Sequence, residues 1–216
     1  MFRAMVLVLA VAVLAAGSAA MAADAAKDGW QGLFDGKSLD GWKAGGDPKS
    51  FYVEDGKLVA QAVKNCAHLF YAGPIEDHNF KNFHLKAEVM TLPGANAGLY
   101  FHTAYQESGW PKKGFEIQVN VSHSDPKKSG GVYGLRDCFA PPAKDNQWYT
   151  QEIIVQGKHV ISKINGKVVA DYTEPSDWKN ADRRFASGTF AIQAHDPKSK
   201  VYFRNIEVKV LPDSAK

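Results

Sequence analysis

Apolar and polar residues alternate with a period of two along most of this chain, and each alternating run is closed by Gly, Asn, Asp or Pro. Such a run buries one face of a β-strand; it cannot give one side of a helix a continuous apolar stripe. In Asn82–Met90, Phe83, Leu85, Ala87 and Val89 fall on one face and His84, Lys86 and Glu88 on the other. Gly114–Asn120 separates Phe115, Ile117 and Val119 from Glu116, Gln118 and Asn120. Further strand-like runs cover Gly98–Thr103, Trp148–Val155, Lys158–Ile164, Lys167–Tyr172, Gly188–His195 and Lys200–Val210. Gln156-Gly157 and Asn165-Gly166 separate three of these, which predicts a meander with tight turns. Beyond residue 23 no window holds a helical period over three turns, so helix is expected only as single turns near 74–78 and 175–180.

With the runs at Phe51–Glu54, Lys57–Ala62 and Ala67–Tyr71, the count reaches about ten or eleven strands, more than one open antiparallel sheet holds without curling. Two packed sheets follow. Without a Pro/Ser linker or an internal repeat, residues 23–216 read as one all-β domain, a two-sheet antiparallel jelly-roll β-sandwich. Residues 1–22 read as a signal peptide. Arg3 precedes a short apolar run, and Ala20-Met21-Ala22 fits a cleavage site. The expected location is periplasmic or secreted, with no membrane attachment after cleavage. A formal net charge of +3 without a basic block argues against a nucleic-acid partner. Cys66 and Cys138, both expected on loops near strand ends, leave room for one disulfide.

The polar faces carry the chemistry. Glu116, Gln118 and Asn120 form a row of carboxylate and amides, the donors and acceptors that sugar hydroxyls require. Gln193 and His195 share a face on a second strand, Tyr100 and His102 on a third, and Glu88 stands on a fourth. If these faces are neighbours, Glu116, His102 and His195 converge on one bound group. Two His and two Glu also suit a divalent metal, although no tight ligand spacing such as H-E-x-x-H accompanies them. Glu116 is followed at i+4 by Asn120, so a two-carboxylate retaining glycosidase is disfavoured. His123-Ser124-Asp125-Pro126 and His195-Asp196-Pro197 echo one another and read as Asx-type turns.

Several stretches carry a family resemblance: Gly32-Leu33-Phe34-Asp35-Gly36-Lys37-Ser38-Leu39-Asp40-Gly41-Trp42, Phe51–Leu58, Asn96–His102 followed by Gly114–Val119, and Val201–Ile206. Over residues ~30 to 211 the chain resembles the 3-keto-disaccharide hydrolase domain family. The resemblance implies a concanavalin A-like jelly roll, export from a bacterial cell and action on 3-keto-glycosides. In such a sugar the keto group acidifies the C2 proton, so a base, an enolate stabiliser and a leaving-group acid suffice. On this reading Glu116, His102 and His195 are catalytic, and Glu88, Asn96, Gln118, Gln193 and Arg204 bind the carbohydrate. His102 or a divalent metal polarises the keto oxygen. A non-catalytic carbohydrate-binding module and a structural envelope protein are the alternatives.

Overall fold

The computed structural model describes residues 27–180 and 183–213; the leader expected over 1–22 lies outside them. The strands, in chain order, are β1 Trp30–Gly32, β2 Trp42–Gly45, β3 Phe51–Glu54, β4 Lys57–Ala60, β5 Ala67–Tyr71, β6 Phe83–Thr91, β7 Asn96–Thr103 and β8 Phe115–Asn120, then β9 Lys128–Val132, β10 Arg136–Cys138, β11 Tyr149–Gln156, β12 His159–Ile164, β13 Lys167–Thr173, β14 Thr189–Ala194 and β15 Val201–Val210. Helix among the described residues is confined to three short 3-10 turns at Lys27–Gly29, Pro48–Ser50 and Ile75–His78. The segment 175–180, expected as a helical turn, forms only a turn in which Trp178 N donates to Pro175 O. No helix among the described residues is long and apolar enough to cross a membrane.

The strands pair antiparallel in two sheets. One runs β13-β12-β11-β6-β15-β4-β3 with β1 added on β15, and the other runs β10-β9-β8-β7-β14-β5-β2. The expected meander is β11–β13, and its Asn165-Gly166 turn has both residues at positive φ, the geometry that favours this dipeptide. Between the sheets, Phe83, Leu85 and Val89 of β6 meet Phe101 of β7, Ile117 of β8 and Phe190 of β14 in one buried cluster. Each such side chain contributes about 1.5–3 kcal/mol when removed from water.

The opening Gly-Leu-Phe-Asp-Gly-Lys-Ser motif is a structural clasp. Asp35 Oδ1 accepts hydrogen bonds from the Lys37 and Ser38 N–H groups, which hold its carboxyl below the usual carboxylate range. Trp42 Nε1 donates to Leu33 O at 2.7 Å and closes the loop. Composition hides β9, because Ser129-Gly130-Gly131 has no strand propensity. Glycine is needed there for close approach: a Cβ on Gly131 falls 2.6 Å from Cys138 N, and one on Gly130 falls 2.8 Å from Val169. Cys66 and Cys138 are both free. Cys138 ends β10 and Cys66 precedes β5, five strand spacings away, or about 24 Å across the sheet, where a disulfide needs Cα atoms within about 7 Å.

Candidate active site on the seven-stranded sheet

Alternation sends Leu99 and Phe101 of β7, Ile117 and Val119 of β8, and Phe190 and Ile192 of β14 into the core. It leaves Asn96, Gly98 and Tyr100, Glu116 and Gln118, and Gln193 on the outer face of the sheet. These polar residues are buried nonetheless, because loops from 104–114 and 121–127 lie against the face. Asn96, Trp110, Glu116, Gln118, Asp125, Tyr133, Gln193 and His195 line a cavity of about 230 Å³ there.

Glu116 lies at the centre of a short hydrogen-bond chain. Tyr100 OH donates to Glu116 Oε2 at 2.9 Å, and Gln193 Nε2 donates to Tyr100 OH at 3.0 Å and to Glu116 Oε1 at 3.5 Å. Tyr100 directly opposes Glu116 across the β7–β8 ladder, which makes the contact a cross-strand pair. Gly98, one pleat away, leaves space for the carboxylate: a Cβ there falls 2.9 Å from both Cγ and Cδ of Glu116. Burial pushes the Glu116 carboxyl up to about 7, and the Tyr100 hydrogen bond and the Arg183 charge offset this only in part. Burial, reinforced by the Glu116 charge, drives the Tyr100 phenol upward, so it stays a proton donor. The Glu116 carboxyl therefore exchanges a proton near neutrality.

His195, just past the end of β14, lines the same cavity and shares a hydrogen bond with Asp196 Oδ2 through Nδ1 at 2.9 Å. Burial opposes ionisation of Asp196, but hydrogen bonds from Ser199, His195 and the Lys198 N–H outweigh it and hold the carboxyl low. An ionised Asp196 favours the tautomer with the proton on Nδ1, leaving Nε2 of His195 as a base. The two echoing segments, His123-Ser124-Asp125-Pro126 and His195-Asp196-Pro197, are Asx turns, as expected: Asp125 Oδ1 accepts from Lys127 N, and Asp196 Oδ1 from Lys198 N. They also place the His123 and His195 rings 5.5 Å apart. Ligand atoms of His123, His195 and Asp196 lie within 4.8 Å of one another, the residue types that a divalent cation takes.

Three of the residues expected here lie elsewhere. His102 is fully buried on the other side of the sheet, among Phe83, Phe101 and Phe185, with Nε2 2.9 Å from Lys81 O. A bulge explains it. Two registered pairs, Thr189 with Thr103 and Ala191 with Tyr100, leave one extra residue on β7, and His102 absorbs it at φ 52. The one-residue slip reverses the facing, turning His102 inward and Thr103 outward. Burial lowers the His102 imidazole to about 4, so it is neutral in the core. Glu88 and Arg204 belong to the eight-stranded sheet, where Arg204 Nε donates to Glu88 Oε2 at 2.5 Å and the guanidinium lies 4.1 Å over the Trp148 ring. They pair with each other across the sandwich from the cavity. The expected two-His, two-Glu metal set is accordingly dispersed, since only Glu116 and His195 share a face.

Alternation along the strands does not single out Tyr133 and Trp110, which line the cavity, or their neighbour His68. His68 of β5 is buried with Nε2 unpartnered, edge-on to Tyr100 at 5.2 Å and to Trp110 at 5.9 Å. Trp110 also meets His195 at 5.7 Å. The signal for His68 was the outward position it shares with Phe70 on β5; for Trp110 it was an aromatic in a Ser-Gly-Trp-Pro loop.

Residues 29–209 match the model of the 3-keto-alpha-glucoside-1,2-lyase-like domain family. A Bacteroides thetaiotaomicron protein named 3-keto-disaccharide hydrolase is 25% identical over 232 aligned residues, covering 85% of this chain and 79% of its own. Among solved structures, one described as a candidate glycosyl hydrolase from Parabacteroides distasonis superposes with a TM-score of 0.71 at 24% identity, over 85% of this chain and 94% of its own. A carbohydrate-binding module from Bacillus subtilis superposes with a TM-score of 0.58 at 12% identity, over 78% and 95%. The two superpositions show a shared sandwich fold. The family match runs through both sheets and every strand of the Glu116 face, and the chain belongs to the 3-keto-alpha-glucoside-1,2-lyase-like domain family.

Proposed function

We propose that this chain is an exported enzyme that cleaves 3-keto-glycosides by elimination across C1 and C2, followed by hydration. The observation that carries this reading is Glu116, a buried carboxyl titrating near 7 in a cavity that also holds His195. The family's description and the name of the Bacteroides relative support the substrate class. Export rests on Arg3, the apolar run and Ala20-Met21-Ala22.

His195 Nε2 takes the C2 proton, with Asp196 orienting the ring through Nδ1. The C2–H electron pair becomes the C1=C2 bond, and the C1–O bond breaks with its electrons moving to the leaving oxygen. Glu116, protonated in part at neutral pH, gives that oxygen a proton. Water then adds with its hydroxyl at C1 and a proton at C2, yielding 3-keto-glucose. Tyr100 holds the Glu116 carboxyl by its hydrogen bond, and Asn96, Gln118 and Gln193 supply polar contacts for sugar hydroxyls. Asn96 Oδ1 and Gln193 Oε1 are buried without a protein partner, as acceptors reserved for a ligand would be. A divalent cation at His123, His195 and Asp196 is a second reading of the same corner, in which it would polarise the keto oxygen. Loss of turnover on chelation, restored by added metal, selects that reading.

The test is turnover of an α-linked disaccharide before and after oxidation at C3. Elimination needs the ketone, so the oxidised sugar is expected to release 3-keto-glucose and the unoxidised one to stay intact. Equal cleavage of both would replace this reading with ordinary glycoside hydrolysis.

A further inference from the structure

The Glu116 cavity runs across the strands, with a buried floor and two more open ends. Asn96, Glu116, Gln118 and Gln193 form the floor. Trp110 and His195 stand at the β14 end, and Tyr133 and Asp125 at the β9 end, all four reached by solvent in part. We propose that a 3-keto-disaccharide lies along this cavity in one direction, keto ring at the Trp110 end, and that Tyr133 and Asp125 form the subsite for its leaving-group ring. The proposal rests on the eliminative reading of the same cavity.

The direction follows from where the two reacting groups stand. The strand order is β9-β8-β7-β14, so the two ends are three strand spacings apart, about 14 Å. His195 follows β14 and takes the C2 proton. The Glu116 carboxyl projects over Gly98 of β7, where a Cβ falls 2.9 Å from its Cδ, and so stands on the β9 side of His195. It protonates the oxygen on C1. The step from C2 to C1 therefore points from β14 toward β9, and the ring carried by the leaving oxygen continues that way. Trp110, whose ring meets those of His195 and His68 at 5.7 and 5.9 Å, is left beside the keto ring.

The β9 end suits a second ring. Tyr133 N donates to Glu116 O at 2.9 Å, which makes Tyr133 the cross-strand neighbour of the acid, and Tyr133 lines the cavity. Lys127 Nζ lies 4.0 Å from the centre of the Tyr133 ring, and the Tyr133 hydroxyl donates to Asp125 Oδ2, so the phenol is held in place from two sides. That hydrogen bond, at 3.3 Å, is longer than the about 2.7–2.8 Å usual for O–H···O. A carboxylate oxygen accepts more than one hydrogen bond, so Asp125 Oδ2 has capacity for a sugar hydroxyl. The tyrosine ring offers carbon surface to the apolar C–H face of a pyranose. A leaving group as small as methoxide reaches neither.

The test compares maltose oxidised at C3 of its non-reducing ring with methyl 3-keto-α-glucoside, which lacks a second ring. The readout is the ratio of kcat/KM on the disaccharide to kcat/KM on the methyl glycoside. Tyr133→Ala is expected to lower that ratio about tenfold. Trp110→Ala is expected to lower both values about tenfold and to leave the ratio within about twofold. Thermal melts confirm folding; should Tyr133→Ala not fold, Tyr133→Leu, which keeps apolar bulk without a flat ring, takes its place. An unchanged ratio in the Tyr133 variant, or a ratio that falls in Trp110→Ala instead, would overturn the proposal. If the wild-type protein turns over neither sugar, the eliminative reading fails and the subsite is judged by calorimetric titration with maltose. Binding that the Tyr133 variant weakens about tenfold supports it; no binding, or binding unchanged in the variant, overturns it.

Discussion

Glu116→Gln is expected to lower turnover of a 3-keto-glycoside by ~10²-fold or more while raising stability in mild alkali. The amide keeps the size of the side chain and an oxygen for the Tyr100 hydroxyl, so the hydrogen-bond chain to Gln193 survives. It cannot give or take a proton. The stability change follows from burial. The carboxyl titrates at about 7 in the folded protein against an ordinary value of 4.5. In the unfolded chain it ionises first, so the wild type loses stability as pH rises from about 4.5 through 7, by roughly 3 kcal/mol in all. Glutamine removes that slope. Melting curves at pH 5 and pH 8 should show the variant gaining on the wild type only at pH 8. A variant that is both active and pH-sensitive in stability would deny Glu116 its role.

Gly98→Ala should lower activity by about 10²-fold through displacement alone. Gly98 is not at positive φ, so alanine meets no backbone strain. Its Cβ instead intrudes on the Glu116 side chain, 2.9 Å from Cγ and Cδ. The carboxylate can escape only by leaving Tyr100. Misplacement by about 1 Å costs on the order of 10²-fold in rate, while the sandwich core, on the other face of β7, is untouched. Gly32→Ala is the matched control, since a Cβ there has nothing within 4 Å. Wild-type kcat/KM in a folded Gly98→Ala protein would mean that the position of Glu116 is immaterial.

Much of the fold was legible because most strands are half-buried and advertise it. β6 alternates buried and partly exposed residues without a break over Phe83–Thr91, and β11 and β12 do the same. The polar row on β8 and its partner Gln193 were legible from the same alternation of residue type, although loops bury both faces of these two strands. What local pattern cannot carry is which sheet a strand joins. Glu88 sits on a polar face as regular as that of Glu116, yet β6 pairs with β11 and β15 and thus faces away. Nor does alternation survive a bulge. His102 follows Tyr100 at i+2, and only the left-handed residue at that position moves it to the core. His123, whose ring approaches His195 from the 121–127 loop, depends on tertiary placement that the echo of two Asx turns hinted at without specifying.

In the proposed reaction the site on the Glu116 face removes and restores the proton at C2. Cleavage of methyl 3-keto-α-glucoside in D₂O, followed by nuclear magnetic resonance, reads that directly. The expected product is 3-keto-glucose carrying deuterium at C2, beyond what the free sugar acquires when incubated with the Glu116→Gln protein. Product that forms at the wild-type rate with its original C2 proton intact would contradict it.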